Sequence, residues 1–228
     1  MTLLFAIIIF GAYFYVIFGQ INEPLKDSYF KYGCVCACFL FSLLFLRKNI
    51  KQFWVTLALA IAVVADYFLT LFPSEQNQFI GVCVFCAMQL VLVLYTLSLS
   101  KSIGAKVVNL AFRVALCLVA YFVLPLYFEL GLLEMLSVLY IINFFFTIVC
   151  LLFHIKTEAV MLIGALLFFA CDIFVGLTSG VADILGIAGS AFMEFLSNYD
   201  MIFYCYIPGL FLIALSSVWR KGKKNENI

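Results

Sequence analysis

Eight apolar runs of 17 to 20 residues follow one another along the chain, over 2–18, 30–46, 53–72, 78–97, 106–125, 134–153, 160–178 and 201–218. A helix needs about 20 apolar residues to cross a hydrocarbon core about 30 Å thick, so each run is predicted to be a membrane span. The breaks between them carry turn residues: Pro24, the string Pro73-Ser74-Glu75-Gln76-Asn77, Gly104, and the region from Gly176 to Gly180. No polar stretch long enough for a soluble domain is left over. With 67% of residues hydrophobic, 11% charged and a mean hydropathy of +1.21, the chain lacks the polar surface that a water-soluble globule needs. The predicted fold is all-α: a single eight-helix transmembrane domain over 1–219, with a basic tail over 220–228. The first run has no basic residues ahead of it and is followed at once by further spans, so it reads as a retained helix and not a cleaved signal.

Orientation follows from the basic residues. Arg47, Lys48, Lys51, Lys101, Lys106, Lys156, Arg220, Lys221, Lys223 and Lys224 fall on one side, ten of the 13 in the chain. The other side collects Glu23, Asp27, Glu75, Glu129, Glu134, Asp183, Glu194 and Asp200. Both termini are expected to be cytoplasmic, in the cell membrane as the simplest location. The stretch 181–198 is expected to form a short interfacial helix or a re-entrant piece at the outer face.

Several chemistries are set aside at this stage. The net charge is +1 and the basic residues cluster between spans, which leaves no nucleic-acid footprint. The nine cysteines lie mostly inside apolar runs, where they read as small packing residues. The single histidine, His154, stands at the end of the sixth run, too far in depth from the intramembrane acids to join them in a triad or a metal site. No phosphate-cradling loop or dinucleotide fingerprint is present, so neither cofactor nor metal is expected.

The third run contains Ala65-Asp66-Tyr67-Phe68-Leu69-Thr70-Leu71, and the seventh contains Cys171-Asp172-Ile173-Phe174-Val175-Gly176-Leu177. Small, Asp, any, Phe, any, any, Leu thus occurs twice, in runs predicted to point the same way, which suggests a parallel 4+4 repeat. The two aspartates come at nearly equal depth. An ionised carboxylate inside the bilayer costs on the order of 2.5–3.5 kcal/mol by insertion scales, so each is expected to face the bundle interior or a wet cavity. Two carboxyl groups brought together at low dielectric share a proton, one acid and one carboxylate. That division suits acid/base chemistry at a carbon–oxygen bond and suits a proton-coupled transporter equally. Gln89, Asn143, Tyr204 and Tyr206 are candidates to line the same cavity, or else interhelical hydrogen bonds. Arg113, in the fifth run, is expected to snorkel to the cytoplasmic interface, the alternative being contact with a lipid phosphate.

The string Gly164-Ala165-Leu166-Leu167-Phe168-Phe169-Ala170-Cys171-Asp172 resembles the G-A-L-L-F-x-x-S-D motif of the YhhN-like lysoplasmalogenase family. Ala65-Asp66 with Leu69 resembles the family's G-D-x-x-L motif, and Cys205-Tyr206-Ile207-Pro208-Gly209-Leu210-Phe211-Leu212-Ile213 resembles its last-helix signature. The resemblance implies an eight-span hydrolase that cleaves the vinyl-ether bond of a lysophospholipid substrate within the lipid bilayer, releasing a fatty aldehyde and a glycerophospho-head group. It implies Asp66 and Asp172 as the catalytic pair; Gln89, Asn143 and Tyr206, from their places in the spans, are the candidate substrate-binding groups. Gln89-Leu90-Val91-Leu92 stands where the family commonly carries H-x-x-Y, Leu210 where relatives tend to carry Gln or His, and the outer loop 180–200 is longer than usual. The alternative from a different class is a non-hydrolytic, carboxylate-gated transporter or lipid-handling protein.

Overall fold

The computed structural model describes residues 11, 24–46, 49–128, 131–178, 186, 189–198 and 201–219. The first predicted span apart from Gly11, the 220–228 tail and most of the 180–190 stretch lie outside these residues. Every regular element among the described residues is helical. They are α1 (Pro24–Leu44), α2 (Ile50–Asp66, prolonged by a π-helical turn Tyr67–Leu71), α3 (Glu75–Leu99), α4 (Ile103–Val123), α5 (Leu132–Phe153), α6 (Ile155–Gly176), α7 (Ala191–Asn198) and α8 (Met201–Trp219). Six of them, α2 to α6 and α8, are long and apolar enough to cross a membrane, and α1 holds a shorter apolar stretch over Ser28–Leu44. The chain is a multi-pass membrane protein. The eight-residue α7, with Phe192 and Phe195 exposed and Leu196 buried, is a short helix in the loop between α6 and α8.

Local chemistry starts the helices where the sequence can satisfy their first N–H groups. Asn49 accepts from Lys51 N at 3.0 Å, Ser74 from Asn77 N at 3.2 Å and Ser102 from Ala105 N at 3.4 Å. Pro24, read as a break, is instead the first residue of α1, where its fixed φ and missing N–H cost nothing. His154 alone separates α5 from α6, and its Nδ1 lies 2.9 Å from the Cys150 carbonyl.

Six helices form a closed ring, in the order α1, α2, α3, α5, α6, α8 and back to α1, while α4 packs outside it on α5. The most extensive contact is between α6 and α8. It depends on two glycines. A Cβ on Gly164 would lie 2.8 Å from Ile213 N and 2.9 Å from the Gly209 carbonyl, and one on Gly209 would lie 3.0 Å from Phe168 N. Lipid supplies no hydrophobic force between spans, so backbone approach of this kind, with its dense van der Waals contact, holds such helices together. The ring interior is filled by Phe41, Leu59, Met88, Leu92, Phe144, Phe168 and Leu210, all fully buried.

Candidate functional site

Asp66 closes the α-helical part of α2, is 5% exposed, and is followed directly by the π turn. α3 leaves room for that turn: at Gly81 a Cβ would lie 2.5 Å from Leu69 Cγ, so a larger residue there would push the Leu69 side chain aside. π turns of this kind gather at functional sites because they re-aim one side chain without breaking the helix. The Tyr206 hydroxyl of α8 donates to Asp66 Oδ2. Tyr32 and Cys36 of α1 lie within electrostatic reach of the same carboxyl.

Asp172 sits four residues before the end of α6 and is partly exposed. Its Oδ2 accepts from the Tyr140 hydroxyl of α5 at 2.7 Å. The two carboxyl groups are close enough to interact electrostatically, and so are the two phenols. Phe168, one turn before Asp172, forms an apolar floor beneath them, with ring centroids 5.2 Å from Tyr206 and 5.4 Å from Phe144. Phe85 of α3 meets Tyr140 edge-on at 6.4 Å. Gln89, also on α3, is 2% exposed and lies against the Tyr140 hydroxyl. Neither its Oε1 nor its Nε2 makes a hydrogen bond of regular geometry to a described residue. Asp66, Gln89, Tyr140, Asp172 and Tyr206 thus come one each from five of the six ring helices.

Asn143 does not join them. It donates to Cys117 Sγ at 3.3 Å and to the Leu139 carbonyl at 3.1 Å, on the side of α5 that faces α4. There it belongs to a second node built on Arg113. The expectation that Arg113 snorkels to the interface fails: it is 2% exposed. Its five N–H donors go to Asn109 Oδ1 at 2.8 Å, the Asn143 carbonyl at 2.7 Å, Thr147 Oγ1 at 3.3 Å, Thr96 Oγ1 at 3.5 Å and Cys150 Sγ at 3.8 Å. A guanidinium so placed is fully hydrogen-bonded in the fold, so it has no need to reach for water. Tyr204 is partly exposed on α8.

Sequence reasoning missed Tyr140 and a third polar group, at the opposite end of the ring. Glu158, 2% exposed, accepts from Tyr95 Oη at 2.7 Å and pairs with Lys51 Nζ at 3.8 Å. A signal for it existed: Glu158 stands three residues ahead of Met161, Ala165 and Phe168, which at spacings of four and three form a buried stripe of α6. An open apolar groove of about 650 Å³ runs between Ala60, Ile61 and Val64 of α2 and Phe79, Cys83 and Ala87 of α3, and no residue of the Asp cluster lines it. All nine cysteines are free, and among the described residues no three His, Cys, Asp or Glu side chains gather as metal ligands.

Two carboxyl groups that feel each other's charge, each held by a phenol, one buried and one partly exposed, can divide the roles of acid and carboxylate between them. No family model, curated protein or solved structure matches the chain.

Proposed function

We propose that this protein is a membrane-embedded hydrolase that cleaves the vinyl-ether bond of lysoplasmalogen-type lysophospholipids, with Asp66 and Asp172 as its acid/base pair. The observation that carries the reading is that each of these two carboxyl groups accepts from the hydroxyl of a tyrosine on another helix, within electrostatic reach of the other carboxyl. The resemblance of the motifs around Asp66, Asp172 and Tyr206 to the YhhN-like lysoplasmalogenase family supplies the substrate class. In the same reading the chain crosses the cell membrane eight times with both termini cytoplasmic. Its halves form a parallel repeat, supported by a ring order in which α1, α2, α3 and α5, α6, α8 succeed each other in matching sequence.

The protonated member of the pair gives its proton to the alkene carbon remote from the ether oxygen, leaving an oxocarbenium ion. The ionised member stabilises that cation and takes a proton from the water that adds to it. The resulting hemiacetal returns a proton to the glycerol oxygen as their bond breaks. One water is consumed, and a fatty aldehyde and a glycerophospho-head group leave. Tyr140 and Tyr206 orient the carboxyl groups through their hydroxyl hydrogens.

The test is aldehyde release by purified protein in detergent from choline and ethanolamine lysoplasmalogens. Asp66→Asn and Asp172→Asn are each expected to lower it by about 10²–10⁴-fold, the span of general acid/base contributions. Wild-type rates in both variants would sink the assignment. The π turn that begins immediately after Asp66 favours a second reading, a carboxylate-gated transporter or lipid-handling protein, since interrupted helices mark transport sites. Folded protein that releases no aldehyde from either lipid, but moves protons or lipid across vesicles in an Asp66-dependent way, decides for that one.

A further inference from the structure

The amide of Gln89 is the one buried side chain among the described residues whose nitrogen and oxygen both lack a partner. It is 2% exposed, and it approaches the Tyr140 oxygen without regular hydrogen-bond geometry, the Tyr140 proton being committed to Asp172. Leaving such a group unpaired costs about as much as a lost hydrogen bond or more, and an apolar side chain of similar volume would avoid the cost. The amide therefore marks a place for something that the described residues do not themselves supply.

Its chemistry narrows what that is. The amide presents an acceptor and two donors a short distance apart, so its match must donate once and accept at least once. A phosphate or carboxylate would set its negative oxygens against Gln89 Oε1 and the neighbouring Asp172. An ammonium group would leave Nε2 unpaired. An uncharged hydroxyl oxygen satisfies both ends. We propose that Gln89 is the seat of a hydroxyl oxygen at the Asp66–Asp172 site, either a resident water or the free glycerol hydroxyl of a one-chain lipid. The lipid arm rests on the hydrolase reading above and makes Gln89 the residue that distinguishes a one-chain lipid from one acylated at that hydroxyl. A site built to pair with a hydroxyl discriminates strongly against ligands that lack it.

The experiment compares wild type with Gln89→Leu in detergent. The probes are a saturated 1-O-alkyl-glycerophosphocholine, whose ether is not a vinyl ether, and the same lipid with its free hydroxyl methylated. Binding of these probes requires no cleavage, so it separates this proposal from the hydrolase reading, which stands or falls on aldehyde release by the wild-type protein. If Gln89 seats the lipid hydroxyl, Gln89→Leu weakens the free-hydroxyl probe by about tenfold to a hundredfold and leaves the methylated one unchanged. If it seats a water, both probes bind the variant as they bind wild type, and the ligand-free variant melts no higher, because the amide was already satisfied. Unchanged binding with a melting point raised by about 2–4 °C would overturn the proposal, since the amide would then be an unpaired packing group. Equal weakening of both probes would overturn it too, as a loss of shape.

Discussion

A phenol that binds a carboxyl group inside a bilayer contributes a hydrogen bond and fixes which oxygen is left to react. Tyr140→Phe and Tyr206→Phe keep the ring contacts with Phe85, Phe144 and Phe168 while removing one donor each. Each is expected to cost about 1.5–3 kcal/mol of stability, as the loss of a hydrogen bond to a charged or proton-sharing group does. The check is thermal melting in detergent beside aldehyde release; an unchanged melting point in both variants would contradict the pairing described. If one carboxyl acts protonated and the other ionised, kcat/KM follows a bell in pH, and each limb belongs to the pair and not to one residue. Asp66 and Asp172 were legible in the sequence because a charge in an apolar run has few reasons to be there. Tyr140 was not, since among 27 phenylalanines and 12 tyrosines one more aromatic ring in a span carries no signal until its hydroxyl is seen to have a partner.

Between elements, the sequence announced the spans and concealed how they meet. The apolar runs mark α2 to α6 and α8 to within a few residues, because hydropathy is all that membrane insertion requires. Nothing in that pattern says that α4 stands outside the ring, so Arg113 looked free to snorkel. In the fold, Arg113 and Ala120 are the only buried residues of α4, and the guanidinium bridges α4 to Thr96 of α3 and to Asn143, Thr147 and Cys150 of α5. Arg113→Lys keeps the charge but offers three donors on one nitrogen instead of a five-donor fork. It is expected to lower stability by about 3 kcal/mol or more and to raise the maleimide reactivity of Cys117 and Cys150 as α4 loosens. Equal labelling in wild type and variant would rule out the staple. The glycine crossing makes a sharper test. Gly164→Ala would force backbone apart and should cost about 1–3 kcal/mol, while Gly176→Ala, with nothing within 4 Å of its added methyl, should melt like wild type.

At the scale of the whole molecule, the five polar side chains of the site are spread from residue 66 to residue 206, and no two come from the same helix. The site is therefore a property of ring closure. The sequence could indicate its ingredients through the echo between the third and seventh runs, but their convergence depends on helix contacts that a linear pattern does not encode. Closure also has an order in time. The chain is synthesised from its N-terminus, and the partner of Asp66 arrives 140 residues later on α8, the helix that also meets α6, α1 and α2. At about 5–20 residues per second, that is roughly 7–28 s during which an acidic side chain in or near the bilayer awaits its phenol. Newly made protein should thus pass through a window in which membrane quality control can seize it. Chains ending before α8 should remain in that window until they are degraded, and a pulse-chase comparison with full-length protein should show them turning over faster.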